Sequence, residues 1–276
     1  MSELILVIIM AAAQGIAEFL PISSSGHLLV LGNWFGLDAE SNMTLNVVLH
    51  AGTLLAILVY YFRKLLSILM EPQRRKLILL VIVGSIPAAV VGLGLKFSGL
   101  DEKLFASTWV AAAGFVITAT MILLVFGAPW QKKSSDELEK GIAAEKMHFL
   151  QAFLIGCAQA LAITPGISRS GSTISCGLFV KLRKADAAEF SFLLAIPAIG
   201  GAAILELKDL LQESTHAVSG SQWGIYAIGF CVSAAVGYAA LTGLIAMLRR
   251  GKLGWFACYL YVVALIVAGV QIYKLF

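Results

Sequence analysis

Two polar clusters interrupt otherwise apolar stretches, and each contains residue types that could act on a phosphate. The first stretch, AQGIAEFLPISSSGHLLVLG (13–32), contains Glu18 and His27 around three serines. The second, AQALAITPGISRSGSTISCG (158–177), contains Arg169 among serines and glycines. A carboxylate or imidazole can act as a general base, a serine hydroxyl as a nucleophile or donor, and a guanidinium binds phosphate oxygens in pairs. These residues therefore indicate a site for an anion or for phosphoryl transfer.

Both stretches are broken by residues that interrupt a helix. Pro21 and three serines follow Glu18, and Pro165 and Gly166 precede Arg169. In hydrocarbon no water satisfies the backbone groups that a broken helix frees, so such breaks occur inside protein or beside a wet cavity. A charge at that depth is costly unless it is paired or solvated. Glu18 and Arg169 are therefore functional candidates, with a purely structural ion pair between the breaks as the alternative.

The composition predicts a membrane protein with several spans. Hydrophobic residues make up 59% of the 276 residues, charged residues 13%, and the mean hydropathy is +0.90. A soluble domain contains about 25% charged residues. The net charge is only +4, so nothing in the charge balance indicates a nucleic-acid partner. The four cysteines lie in apolar segments without paired spacing, which indicates small core residues rather than metal ligands or disulfides.

Apolar runs long enough to cross a bilayer, roughly 17 to 25 residues, also occur outside the two broken stretches. The six predicted spans are about 43–62, 77–97, 107–128, 187–206, 223–247 and 253–273. Most of the 20 Lys and Arg residues fall in four of the connections. Because basic loops stay in the cytoplasm, these four connections are predicted to be cytoplasmic.

This charge bias predicts an inverted topology. The first broken stretch must enter and leave the membrane from outside and the second from the cytoplasm, with the N- and C-termini outside. The predicted fold is an all-α polytopic membrane protein, one integral membrane domain in which each inverted-topology repeat has a re-entrant helical hairpin and three transmembrane helices. The repeats are 1–130 (hairpin about 5–35) and 148–276 (hairpin about 148–181), joined by a cytoplasmic linker loop at 131–147.

Two such hairpins would bring helix N-termini together near the middle of the membrane. Their second half-helices begin near Ser24 and just after Arg169, where unpaired N–H groups and the positive end of the helix dipole attract anions. Phosphate suits this arrangement because serine hydroxyls donate to its oxygens and a guanidinium contacts them in pairs. Ser23, Ser25 and Ser168 are then phosphate donors or helix caps.

The motifs EFLPISSSGH (18–27) and PGISRSGST (165–173) are similar to the two signature motifs of the undecaprenyl pyrophosphate phosphatase family, the BacA-type integral membrane enzymes. Length and span pattern agree with that family over essentially the whole chain. The resemblance implies hydrolysis of undecaprenyl pyrophosphate to undecaprenyl phosphate and inorganic phosphate, which recycles the lipid carrier for peptidoglycan synthesis and confers bacitracin resistance. Through its motifs it also adds Ser170, Gly171 and Thr173 to the substrate-binding candidates, and it implies no organic cofactor.

One position departs from the pattern of many members of that family, which carry two glutamates four residues apart before the proline. This chain has Gln14 and Glu18, which still share one helix face. Gln14 can hydrogen-bond substrate or water but adds no second charge. We therefore expect Gln14 to bind substrate, and Glu18 to be the one carboxylate for a divalent cation, Mg²⁺ or Ca²⁺, whose requirement the sequence leaves open.

Two mechanisms fit the first motif. In one, Ser24 attacks the terminal phosphorus with His27 or Glu18 as its general base; in the other, His27 or Glu18 activates water and Ser24 only donates a hydrogen bond. We favour Ser24 as the nucleophile, because one helical turn places it and His27 on the same face. Arg169 is expected to stabilise charge on the transferred group. For His27, a bond to a carbonyl without any catalysis is the plainer interpretation.

A secondary transporter or flippase for an anion or a lipid phosphate is the alternative function, because inverted repeats with broken helices are typical of transporters. The enzymatic interpretation places the protein in the bacterial cytoplasmic (inner) membrane with its active site facing the periplasm. Its partners are then the polyprenyl pyrophosphate, whose tail stays in lipid, membrane lipids and, as an option, a second copy in a homodimer.

For His50, which begins an apolar run, packing is as good an interpretation as function.

Overall fold

The computed structural model describes residues 2–37, 39–127, 141–213 and 220–274. Within these ranges the chain is helical and forms no β-strand, so the predicted all-α class is confirmed. The α-helices are α1 (Glu3–Phe19), α2 (Ser24–Phe35), α3 (Ala39–Tyr60), α4 (Phe62–Met70), α5 (Lys76–Ser98), α6 (Leu100–Ala106), α7 (Thr108–Phe126), α8 (Phe149–Leu161), α9 (Arg169–Phe179), α10 (Lys184–Glu213), α11 (Gly220–Arg249) and α12 (Gly254–Tyr273).

The long helices coincide with the predicted spans to within a few residues, except that α10 continues to Glu213, seven residues beyond its predicted span. In the described part of the chain, α5, α7, α10, α11 and α12 each contain a segment that is long and apolar enough to cross a membrane. The remaining predicted span, 43–62, corresponds to α3. Together with α4, α3 is long and apolar enough to cross a membrane, and the two helices are bent by 64° at a break beside Tyr61. These helices fit an integral membrane protein.

The two broken stretches each fold as a pair of short helices. α1 has 17 residues and α2 has 12, whereas α8 has 13 and α9 has 11. Because a spanning helix needs about 20 residues, α2, α8 and α9 are too short to cross alone. The breaks fall at the prolines and glycines that predicted them. That each pair enters and leaves the membrane from one side stays a prediction.

The short helices are covered by long ones. α1 packs mainly against α11, α8 mainly against α5, α3 lies against α11 and α10, and α7 lies against α12. Fully buried aromatic side chains, among them Phe19, Phe115, Phe190 and Phe192, fill the interior. On the outside, α5 and α12 expose large apolar side chains such as Ile82. Such outer faces are suited to lipid tails, which are as apolar as leucine.

The predicted linker 131–147 is described only from residue 141 onward. Its end is fastened to the turn after α9, because the Ile142 N–H donates to the Lys181 carbonyl at 2.8 Å. The Arg183 N–H donates in return to the Ile142 carbonyl at 3.1 Å. The rest of the linker and both chain ends lie outside the described residues, and the boundaries of the two repeats stay a prediction.

Candidate active site

α1 ends at the first break because Pro21 cannot continue it. The residue before a proline is restricted to extended backbone, and Leu20 accordingly has φ −64° and ψ 147°. Ser23 then adopts a positive φ of 69°, which costs a non-glycine residue about 1 kcal/mol. α2 starts at the next residue. The last turn of α1, with Glu18, therefore lies next to the first turn of α2.

The helices that follow the two breaks begin in the same way. Ser23 Oγ accepts from the N–H of the third residue of α2 at 3.4 Å, and Ser168 Oγ accepts from the N–H of the third residue of α9 at 3.1 Å. Each capping hydroxyl lies beside another serine: Ser23 Oγ is 3.3 Å from Ser25 Oγ, and Ser168 Oγ is 3.2 Å from Ser170 Oγ. Ser23 and Ser168 are therefore helix caps, each with a second hydroxyl beside it.

The two breaks lie against each other. The Ser170 hydroxyl donates to the Leu20 carbonyl at 3.2 Å, which joins the start of α9 to the end of α1. Gly26 of α2 approaches the second break so closely that a Cβ there would lie 2.9 Å from the Gly166 Cα and 2.7 Å from the Phe115 ring. A glycine is therefore required at position 26 for this approach.

α7 fixes the backbone of the second break. The Thr118 hydroxyl donates to the Gly166 carbonyl at 3.1 Å and accepts from the Ser168 N–H at 2.9 Å. Gly166 has φ +87°, a region that only glycine occupies without strain. The Ala111 carbonyl fills the place where a Cβ of Gly166 would lie. The helix that carries Arg169 therefore starts from a position set by α7.

The Glu18 carboxylate is the centre of the site. Its Oε1 accepts from Arg169 Nη2 at 2.7 Å, across 151 positions of sequence. Its Oε2 accepts from the Ser24 hydroxyl at 2.6 Å and from the Gln14 side-chain amide at 3.1 Å. Glu18 is only 7% exposed, and hydrogen bonds to an ionised group are about twice as strong as neutral ones. This carboxylate therefore joins both motifs in one cluster.

Arg169 is held on its other side by α10. Its Nη1 donates to the Ser191 carbonyl at 3.4 Å, and its guanidinium carbon lies 5.9 Å from the centre of the Phe192 ring. The Thr173 hydroxyl donates to the Arg169 carbonyl at 2.7 Å and lies 2.6 Å from Ser191 Oγ. Thr173 thus bonds to protein atoms in this structure. A guanidinium has five N–H donors, so Arg169 keeps donors for an anion beside Glu18.

His27 lies one turn after Ser24 but bonds elsewhere. Its Nδ1 is 2.8 Å from the Ser23 carbonyl oxygen, and its Nε2 is 2.8 Å from the Tyr259 hydroxyl. Of the two bases considered for Ser24, the structure therefore brings Glu18 into contact with the hydroxyl and leaves His27 bonded to other groups. A base must be within hydrogen-bond reach of the proton it removes, so Glu18 is the better placed.

Three residues near the site lie outside the two motifs. His50 Nε2 lies 3.9 Å from Glu18 Oε2, while its Nδ1 is 2.8 Å from the Asn46 carbonyl oxygen. His50 therefore lies within ion-pair distance of Glu18 and does more than pack against apolar side chains. Ser191 and Tyr259, on α10 and α12, were not expected at the site. The only signal for them was a polar group inside a long apolar helix, which many structural residues also show.

An apolar cavity of about 350 Å³ lies beside His27, between α1, α2, α7 and α12. Its walls include Ile16, Trp34, Phe115 and Ile266. Ligand pockets typically have volumes of roughly 300 to 1,000 Å³, mostly apolar walls and a few polar groups that fix orientation. This cavity therefore suits a hydrocarbon chain whose polar end lies near the first break.

Apolar helices around a buried cluster of serine, carboxylate and guanidinium groups define an integral membrane protein with a buried polar site, whose groups suit an anion. The chain belongs to the family described as Bacitracin resistance protein BacA, whose family model matches residues 7–266. The match covers nearly the whole chain and confirms the resemblance carried by the two motifs.

Similar proteins span the same length. An undecaprenyl-diphosphatase of Rhodopirellula baltica is 43% identical over 257 residues, covering 93% of this chain and 94% of the relative. The undecaprenyl-diphosphatase of Carboxydothermus hydrogenoformans is 39% identical over 264 residues, 96% of each chain. That of Rubrobacter xylanophilus is 38% identical over 283 residues, 97% of this chain and 98% of the relative. The family match, residues 7–266, includes both broken stretches.

Proposed function

We propose that this protein hydrolyses undecaprenyl pyrophosphate to undecaprenyl phosphate and inorganic phosphate. Relatives of nearly equal length bear the name undecaprenyl-diphosphatase. The observation that carries the proposal is Glu18, bonded at once to Ser24 and to Arg169. It places a nucleophile, a base and a phosphate-binding cation in one cluster. The reaction recycles the lipid carrier for peptidoglycan synthesis, and it confers bacitracin resistance.

In the first step Ser24 attacks the terminal phosphorus. Glu18 Oε2, 2.6 Å from the hydroxyl oxygen, takes the proton as Oγ bonds to phosphorus. The bond from that phosphorus to the bridging oxygen breaks, and undecaprenyl phosphate leaves with the electron pair and takes the proton from Glu18, which becomes a carboxylate again. In the second step Glu18 takes a proton from an attacking water, the bond from Oγ to phosphorus breaks, and Ser24 recovers a proton from Glu18. Direct attack by water activated at Glu18 is the alternative without a covalent intermediate.

The positive groups around Ser24 stabilise the transferred phosphoryl group. Phosphoryl transfer spreads negative charge over the equatorial oxygens, so positioned donors lower its barrier. Arg169 supplies a guanidinium, and the first turns of α2 and α9 supply backbone N–H groups and the positive ends of two helix dipoles. Ser25 and Ser170 are further donors beside the two caps. These groups together form the proposed phosphate site.

The cavity beside His27 supports lateral access for the lipid. The tail remains between α2 and α12 while the pyrophosphate reaches Ser24, so the substrate never leaves the bilayer. Because His27 lines this cavity and lies one turn after Ser24, we assign it to the binding of the phosphate that stays with the tail. In this proposal Ser24 and His27 lie on opposite sides of the bond that breaks.

The packing of the helices supports the inverted repeat of 1–130 and 148–276. In that arrangement α1, α3, α5 and α7 correspond to α8, α10, α11 and α12. α1 packs on α11 and its counterpart α8 packs on α5, while α3 lies against its own counterpart α10 and α7 against α12. This reciprocal pattern is what a pseudo-twofold axis between two repeats produces.

The proposed location is the bacterial inner membrane, with the site open to the periplasm and both termini outside. The basic loops support this orientation, because they are predicted to lie on the cytoplasmic side, opposite to the chain termini. Lys64 pairs with Glu189 at 2.9 Å, and Arg74 pairs with Glu71 at 2.8 Å. These ion pairs lie at the loops for which the charge bias predicts a cytoplasmic position. A homodimer stays a prediction.

A divalent cation, Mg²⁺ or Ca²⁺, is a further part of the proposal. The donors that fit it are Glu18 and the Gln14 side-chain oxygen, which is buried and has no hydrogen-bond partner in the described structure. Such oxygen ligands suit hard cations, which would neutralise pyrophosphate charge. No group of three or more His, Cys, Asp and Glu that could hold a metal occurs among the described residues. Substrate oxygens and water would therefore have to supply the remaining ligands.

The proposal is tested by phosphate release from undecaprenyl or farnesyl pyrophosphate with purified protein in detergent. An enzyme releases phosphate there, whereas a transporter or flippase has no compartments to connect and releases none. The matched control is Glu18→Gln, which keeps the shape of the side chain but removes the base. Absence of release by the wild-type protein, with either substrate, would leave transport as the better function.

A further inference from the structure

The His27 ring is held between two aromatic side chains from other helices. Phe115 of α7 meets it edge-on at 5.0 Å between ring centres, and Tyr259 of α12 is stacked on it at 5.8 Å with an angle of 6° between the planes. The Tyr259 hydroxyl is also 2.8 Å from His27 Nε2. One residue of the last helix therefore fixes both the plane of the imidazole and one of its nitrogens.

The hydrogen bonds define the tautomer of His27. A backbone carbonyl only accepts, so the Nδ1 atom beside the Ser23 carbonyl oxygen carries the proton. In the neutral ring Nε2 is then an acceptor, and the Tyr259 hydroxyl donates to it. The nitrogen that can gain or lose a proton during a reaction is thus the one that faces Tyr259.

A phenol is suited to this position because its hydroxyl both donates and accepts. When His27 is neutral the hydroxyl donates to Nε2, and when His27 is protonated the hydroxyl oxygen accepts from it. The imidazole therefore keeps one orientation in both protonation states. A phenylalanine would preserve the stacked ring and lose this bond in both states.

We propose that Tyr259 is a positioning residue that acts through His27, holding its ring plane and tautomer at the mouth of the apolar cavity. This inference rests on the proposed function. Tyr259 lines the same cavity as His27, so one side chain contacts both the imidazole and the space proposed for the lipid tail. No sequence motif surrounds Tyr259, and its contribution arises only from the packing of α12 on α7.

The kinetic test compares Tyr259→Phe with Tyr261→Phe in the purified full-length protein. Tyr261 is a matched control because it lies on the same helix and its hydroxyl is 2.9 Å from that of Thr120 on α7. Loss of one hydrogen bond corresponds to about a tenfold effect. We expect kcat with farnesyl pyrophosphate to fall about tenfold in Tyr259→Phe with KM unchanged, and both constants to stay at the wild-type level in Tyr261→Phe.

A second measurement separates positioning from a structural role. If Tyr259 acts through His27, adding Tyr259→Phe to His27→Gln causes no further loss of activity, whereas a structural effect lowers the activity of both backgrounds equally. In protein labelled with ¹⁵N-histidine, the His27 Nε2 resonance, assigned by its disappearance in His27→Gln, is expected to shift in Tyr259→Phe and not in Tyr261→Phe.

Equal kinetics for the two tyrosine variants would overturn the inference, as would a full additional loss in the His27→Gln background. An unchanged His27 resonance in Tyr259→Phe would do the same. If the wild-type protein releases no phosphate at all, the proposed function fails. The ¹⁵N spectra then still decide whether Tyr259 fixes His27, so the two failures are distinguishable.

Discussion

Glu18 has a different relation to each group that it binds. Arg169 balances its charge, Ser24 can give it a proton, and Gln14 orients it without adding charge. A buried carboxylate that loses such a cationic partner is destabilised by about 3 to 5 kcal/mol. Substitutions at this cluster therefore alter stability as well as chemistry, and informative variants must separate the two.

Replacement of Ser24 tests the nucleophile. We expect Ser24→Ala to lower kcat at least about 100-fold, because both the attacking oxygen and the proton given to Glu18 are removed. Ser25→Ala is the comparison, since Ser25 is in the same turn but bonds to Ser23 and not to Glu18; the loss of this one proposed phosphate donor should lower kcat only about tenfold. Acid quenching with substrate labelled in the terminal phosphate should trap phosphoserine in the wild type. Near-normal hydrolysis by Ser24→Ala would instead favour direct attack by water.

Replacement of Arg169 distinguishes catalysis from a structural ion pair. We expect Arg169→Lys to lower kcat/KM by about 100-fold, because a lysine keeps the charge but loses the paired N–H donors. Arg183→Lys, whose exposed side chain pairs with Asp186, should be unaffected. A structural pair can be replaced by two uncharged residues. Full hydrolysis by a folded Glu18→Gln/Arg169→Met double variant would therefore contradict the catalytic assignment.

The breaks could be predicted from sequence because their causes are local. Pro21 ends α1, Ser23 and Ser168 cap the following helices, and Gly166 allows the positive φ of the second break. Each cause acts within a few residues of its effect. The helices therefore start and end close to where residue type predicted, as do the long apolar spans.

Crowding around the second break can be measured with two glycines. Gly166 and Gly36 both have positive φ, +87° and +68°, but only Gly166 is surrounded by other atoms where a Cβ would lie. Gly36→Ala should cost about 1 kcal/mol of unfolding free energy from backbone strain alone. Gly166→Ala should cost about 3 kcal/mol, because overpacking adds to the strain. Thermal unfolding in detergent checks this, and equal losses would show that crowding by α7 is unimportant.

The partners of the site could not be predicted in the same way. Tyr259 is 232 positions from His27 in sequence, and Arg169 is 151 positions from Glu18. The sequence nevertheless offers an ion pair between Arg169 and Glu18 as one interpretation, because both are charges in broken apolar stretches. Tyr259 and Ser191 are uncharged, so their burial does not need a charged partner. Nothing in the sequence therefore distinguishes them from other residues of apolar helices.

At the scale of the whole molecule, the two motifs become one site only because the halves pack reciprocally. α1 is supported by α11 of the second half, and α8 is supported by α5 of the first half. Neither broken stretch is covered mainly by long helices of its own half. Each half alone would therefore leave its break in contact with lipid, where free backbone groups are costly. The proposed catalytic cluster therefore depends on packing between the two halves of the chain.

The inverted arrangement makes a distinct prediction about membrane sides. Phe35, 40% exposed at the end of α2, and Arg183, 49% exposed after α9, should face opposite sides of the membrane. In a variant without the four native cysteines, Phe35→Cys should react with a membrane-impermeant maleimide in intact spheroplasts. Arg183→Cys should react only after permeabilisation, because the charge bias places its loop in the cytoplasm. Labelling of both from the same side would rule out the inverted repeat, while the Glu18, Ser24 and Arg169 cluster would still have to be explained by another topology.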